Sequence, residues 1–135
     1  MKNIKQYYKE LGKLVYAIAL ADGIIQEEER NELHHYVLTQ LAHFEKTYDS
    51  SGMNQAFYVD FEFEDAIQHH LSSDEAIKSY TKFMETNFEK GDHELIQRSL
   101  SLLESVANAY NKRAEKNILN TIKHITSTIS DTNQK

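Results

Sequence analysis

The stretch Ala21-Asp22-Gly23-Ile24-Ile25-Gln26-Glu27-Glu28-Glu29 constrains the fold of this chain more than any other. Before it, Ile4, Tyr7, Leu11, Leu14, Val15 and Ile18 recur in steps of three and four, the spacing of an amphipathic helix. After it, Leu33, Tyr36, Val37, Leu41 and Phe44 form a second apolar face with the same stepping. The stretch is therefore the corner of a helix-loop-helix. Gly23 suits the left-handed position past the end of the first helix. Glu27, Glu28 and Glu29 suit the positive end of the second.

The chain has no proline, so its other breaks must come from Gly, Asn, Asp and Ser. Polar residues from Glu45 to Asn54 read as a loop. Phe57-x-Val59-x-Phe61-x-Phe63 alternates like a strand. With no second strand to pair, it reads as an extended segment laying aromatic rings on the core. Helical stepping resumes at Phe63, Ala66, Ile67, His70 and Leu71. Ser72-Ser73-Asp74-Glu75 is a capping box that starts a helix with Ile77, Tyr80, Met84 and Phe88 inward. Lys90-Gly91-Asp92 breaks and re-caps the chain before the face Leu95, Ser99, Leu102, Leu103, Val106 and Tyr110. The last face is Ile118, Ile122, Ile125 and Ile129. One helix from Asp92 to Ser130 would outrun the domain, so a corner is expected at Asn111, a residue that tolerates the left-handed conformation.

These elements predict one all-α domain over residues 1–130, a compact bundle of five to seven helices, with a frayed tail at 131–135. Ile18-Ala19-Leu20-Ala21-Asp22-Gly23 and Val106-Ala107-Asn108-Ala109-Tyr110-Asn111 look like two copies of one corner. Each is followed by a helix-starting glutamate, Glu29 and Glu115, which suggests a degenerate internal helix-loop-helix repeat.

Charge narrows the partners. Twenty-one acidic against fifteen basic residues give a net charge of -6, the wrong sign for a phosphate backbone. No nucleic acid is expected; a cation or a basic protein face is the better match. The absence of cysteine excludes disulfides, thiolate zinc sites and a cysteine nucleophile. Lys2, Lys5, Lys9 and Lys13 ahead of Leu14 to Ala21 imitate a secretory signal ending in Ala-x-Ala. The apolar residues nevertheless keep helical stepping, and cleavage would remove the helix that the corner terminates. The apolar run is also too short to span a bilayer. The expectation is a cytoplasmic protein with no membrane span.

Asp-Gly-x-Ile-x-x-x-Glu is the spacing of the second half of an EF-hand calcium loop. Its first half is missing, because Ile18 and Leu20 stand where oxygen ligands would be needed. Asp22 and Glu29 offer carboxylates, the Ile24 carbonyl a third oxygen, and Glu28 and Glu32 lie alongside. Such a set would bind calcium or magnesium weakly, with water completing the shell. Capping accounts for the same residue types: Gly23 as C-cap, Asp22 in a turn, Glu29 at N3 behind a Gln26 N-cap. Capping does not explain the density of acids, so both readings stand.

Two further constellations carry chemistry. Glu32-x-x-His35 has the spacing of a ferritin-type di-iron ligand pair, and Asp65 with His69 is a makeshift second half. A di-metal helical-bundle enzyme is the alternative they define. The sequence has no His-Glu-x-x-His, glycine-rich phosphate loop or Gly-x-Ser-x-Gly elbow, so the main expectation is a protein that is not an enzyme. Phe57, Tyr58, Phe61 and Phe63 offer an aromatic interface for a homodimer, which would make the chain a purely structural oligomerising adaptor.

Ala-Asp-Gly, an apolar residue two further on, and Glu seven after the Asp, set between two amphipathic helices, resemble the TerB-like tellurite-resistance family. The N-terminal region of the DjlA co-chaperone is similar. The match covers Leu14 to Leu33, and Asp22, Gly23 and Glu29 are the positions that carry over. The resemblance implies a compact all-α fold, no catalytic activity and an acidic surface for a divalent metal. It also implies a stress-response or envelope-associated assembly, hence a protein partner not yet identified. The chain departs from the family at Gln26, where Ser or Thr is usual, and at Tyr110-Asn111, where a second Asp-Gly is common.

Overall fold

A computed structural model describes residues 1–21, 23–109 and 113–133. The molecule is all-α, with no strand among the described residues. Its elements are α1 (Ile4–Ala19), α2 (Glu27–Tyr36), α3 (Ala42–Phe44), α4 (Tyr58–Gln68), α5 (Ser73–Asn87), α6 (His93–Ala109) and α7 (Arg113–Asn133). A π-helical turn, Val37–Leu41, joins α2 to α3, and a 3-10 turn, Gln55–Phe57, leads into α4.

α1 is the centre. It touches α4, α5, α6 and α7, and the side chains from Leu14 to Ala19 are all buried. Lys5 and Gln6 keep its first turn at the surface, but from Leu14 to Ala19 the helix is apolar all round and has to lie inside the domain. Its polar atoms are then obliged to find partners there. The Tyr7 hydroxyl donates to Ser99 Oγ at 2.5 Å, and the Ser99 hydroxyl donates in turn to the Leu95 carbonyl at 2.8 Å. Tyr8 donates to Glu45 Oε1 at 2.5 Å. Buried Glu10 accepts from Ser79 Oγ at 2.5 Å, from Gln6 at 2.8 Å and from Lys13 at 3.2 Å. Burial raises the Tyr7 and Tyr8 phenols well above their ordinary range, so both act as neutral donors.

The segment expected to be extended is helical instead: Gln55–Phe57 is a 3-10 turn and Tyr58–Gln68 is α4. Val59 and Phe63, two apart in the alternation, are also four apart on a helix, and this pair is buried against α1. Phe61, between them, turns outward. The close contact is on the neighbouring helix. A Cβ on Gly12 would stand 2.5 Å from the Val59 carbonyl oxygen and 3.2 Å from the Phe63 nitrogen. The bare glycine lets the α1 and α4 backbones meet, so the buried Val59–Phe63 face lies directly on α1.

The other breaks fall where the residues place them. Gly23 has φ +96° and donates its N–H to the Leu20 carbonyl at 2.7 Å, closing the end of α1. Ser72 Oγ accepts from Glu75 N–H at 3.1 Å, and Glu75 Oε1 accepts from Ser72 N–H at 3.1 Å, completing the capping box of α5. His70 closes α4 at φ +51°, with the Leu71 N–H bonded back to the Ala66 carbonyl at 3.2 Å. α6 ends at Ala109 and α7 begins at Arg113; Asn111, the expected corner, lies outside the described residues. α7 runs past Ser130 to Asn133. In the loop before α4, Asp49 accepts from the Ser51 hydroxyl, the Tyr58 hydroxyl, the Met53 N–H and the Ser51 N–H, and these bonds hold its carboxyl far below the usual range.

Gly12→Ala should lower stability by about 1 kcal/mol or more, because overpacking costs ~1–3 kcal/mol and outweighs the ~1 kcal/mol helix-propensity gain of alanine. Gly91→Ala, with open space around its Cβ, is the control and should be near neutral. Urea unfolding midpoints decide; equal midpoints for the two variants would mean the α1–α4 contact tolerates a methyl group.

Candidate functional site

The acidic corner is built by two helix ends. At the start of α2, Gln26 is extended (φ -86°, ψ 148°), and Glu29 Oε1 accepts its N–H at 2.8 Å. The Glu29 side chain is folded into the protein, with a relative exposure of 1%. Glu115, in the first turn of α7, is likewise buried. Glu27 and Glu28 are exposed, Glu32 is half-buried, and Ile24 projects at 62% exposure. Ile25 packs on the core beside it. Asp22 lies outside the described residues. The corner thus separates into an inner carboxylate that serves the backbone and an outer apolar residue flanked by acids.

A groove along α2 continues from the corner, lined by Ile25, Glu27, Arg30, Asn31 and His34. Two polar pairs tie this face of α2 to α4. His34 Nδ1 is 2.7 Å from Asp60 Oδ1, and Arg30 is 3.7 Å from Glu64. Burial lifts the Asp60 carboxyl above its ordinary value, opposed by the pull of His34. Neither pair was visible from spacing, because His34 and Asp60 meet only once 58–68 is a helix beside α1.

The residues of the di-metal alternative stay apart. Asp65 and His69 pair with each other at 3.4 Å at the exposed C-terminal end of α4, while His35 is exposed on α2 and Glu32 half-buried. Among the described residues no three His, Asp or Glu side chains gather closely enough to hold a metal ion. The aromatic segment is divided too. Phe63 is fully buried, Phe57 and Tyr58 are half-buried, and Phe61 is 56% exposed. The Tyr58 ring packs edge-on to Phe61, with the Lys5 ammonium 4.7 Å from its centroid. Among the described residues no helix is long and apolar enough to cross a membrane.

Comparison of the chain with known protein families, characterised proteins and solved structures gives no match.

The Asp60 shift has a sign that can be checked. An acid whose pKa is raised in the folded state binds its proton more tightly there than in the unfolded chain. Its contribution to stability therefore falls as pH rises from the unfolded value, ~3.9, through the folded one. Asp60→Asn should remove that part of the slope while keeping a hydrogen-bonding partner for His34. Unfolding midpoints measured from pH ~4 to pH ~7 test this; an unchanged slope in the variant would show that Asp60 titrates as an exposed acid does.

Proposed function

We propose that this protein is a non-catalytic helical module, TerB-like in its corner, that works by docking a protein partner on the α1–α2 corner. The observation that carries this reading is the division of the corner's side chains. Glu29 is committed to the Gln26 N–H inside, while Ile24 stands out beside Glu27 and Glu28. An exposed branched apolar residue edged by carboxylates suits a partner that presents an apolar side chain among basic ones. The net charge of -6 steers such a partner toward the surface. The Ala21-Asp22-Gly23 to Glu29 resemblance supports the same reading, and with it a place in a stress-response assembly.

A divalent cation at Asp22, Glu29 and the Ile24 carbonyl, with Glu28 and Glu32 alongside, is the competing use of the corner. The two are separated by pairing Asp22→Asn with Glu29→Gln. Gln at N3 caps nearly as Glu does, and Asn suits a turn as Asp does, so without metal the double variant should lose about 1 kcal/mol or less. An amide cannot replace a carboxylate facing a hard cation. If docking is the corner's job, calcium and magnesium shift the melting temperatures of wild type and variant equally. A rise confined to the wild type, about 2.7 kcal/mol at a hundredfold excess over Kd, would make the corner a cation site instead.

A further inference from the structure

Past the C-terminal end of α2, the π-helical turn and α3 face α6 across a groove of about 620 Å3. Its lining runs against the charge of the whole protein: Arg98 and Lys46 stand there with Glu94 as the only carboxylate in the lining. Arg98 is held in a fixed attitude. Its guanidinium lies 4.7 Å from the Phe44 ring centroid. Its Nε and Nη2 both donate to one oxygen, Glu94 Oε1, at 3.3 and 3.0 Å. Both bonds fall on a single oxygen, so the parallel two-oxygen fork is not made, and among the described residues Nη1 makes no hydrogen bond. Lys46 donates to the His43 carbonyl at 3.1 Å and meets no carboxylate among the described residues. Two cations thus flank one groove with donor capacity to spare.

The backbone along one wall of the groove is unusual. Ala42 N–H bonds to the Val37 carbonyl five residues back, the spacing of a π turn, a form concentrated at functional positions. Val37 and Leu41 stay fully buried on one side of it, while Thr39, Gln40 and His43 line the groove on the other.

We propose that this groove binds a small phosphate-bearing ligand, its oxyanion held between Arg98 Nη1 and Lys46 Nζ. A planar guanidinium fixed by stacking and a mobile ammonium form a recurrent pair for a phosphate group. Glu94 takes the Nε and Nη2 donors of Arg98 and leaves Nη1 to the anion, while its negative charge opposes an anion at that site. The groove has the volume of a small-molecule site, not that of an extended chain. This assignment is independent of the use of the α1–α2 corner.

The test is a titration of the isotope-labelled full chain with inorganic phosphate and with phenyl phosphate at constant ionic strength, with sodium chloride as control. Saturable shifts are expected at the Arg98 side chain and at the amides of Thr39, Gln40, His43 and Lys46. Arg98→Gln and Lys46→Gln should each weaken binding ~10-fold, and Glu94→Gln should tighten it several-fold by removing the negative charge beside the anion. Lys46 is exposed, so its variant leaves the packing intact even if Arg98→Gln does not. Tighter binding of phenyl phosphate than of phosphate marks a monoester as the ligand; equal binding marks free phosphate, and both support the assignment. Shifts no larger than those in chloride, or binding unchanged in Lys46→Gln and Glu94→Gln, would overturn it.

Discussion

Enclosing α1 is the constraint on which the rest of the structure depends. A helix whose second half is buried on every side needs neighbours on every side, and α4, α5, α6 and α7 are those neighbours. Enclosure also forces its polar atoms into internal bonds. Tyr7 reaches α6 through Ser99, Tyr8 reaches the loop after α3 through Glu45, and Glu10 reaches α5 through Ser79. Leaving any of these groups unpaired in the interior would cost about 1–3 kcal/mol. The bonds therefore fix which helix lies on which face of α1, a choice that apolar packing alone would leave less determined.

Much of this was legible from residue order. Helix-period apolar faces and local caps are short-range signals, and they located α1, α2, α5 and α6 together with the breaks at Gly23, Ser72 and Asp92. The reading failed where two periods overlapped. Phe57, Val59, Phe61 and Phe63 fit a strand in steps of two and a helix in the step from Val59 to Phe63. Packing resolves the ambiguity: the Val59–Phe63 face is buried on α1, where Gly12, nearly fifty residues away, lets the two backbones touch. The π turn was invisible for a similar reason, since the faces of α2 and α3 stay in phase through it only because Val37 and Leu41 are both drawn into the core.

The functional surfaces follow the same division. The corner was readable as a cap, and the Glu29 bond to Gln26 N–H is the cap that spacing called for. Which of its acids point outward was not readable, because burial depends on Leu33 and Ile25 finding the core. Asp60 with His34, and Arg98 with Phe44, join positions far apart in the chain with no motif between them. Surfaces of this kind exist only after the helices are assembled around α1.

Native-state hydrogen exchange tests the central role of α1 most directly. If its enclosure is what the fold depends on, the amides from Leu11 to Ile18 exchange only through global unfolding. Their exchange free energies then equal the unfolding free energy from urea, while the 45–54 loop exchanges through smaller openings. Exchange of those α1 amides at several kcal/mol below the global value, with α5 and α6 still protected, would contradict the account.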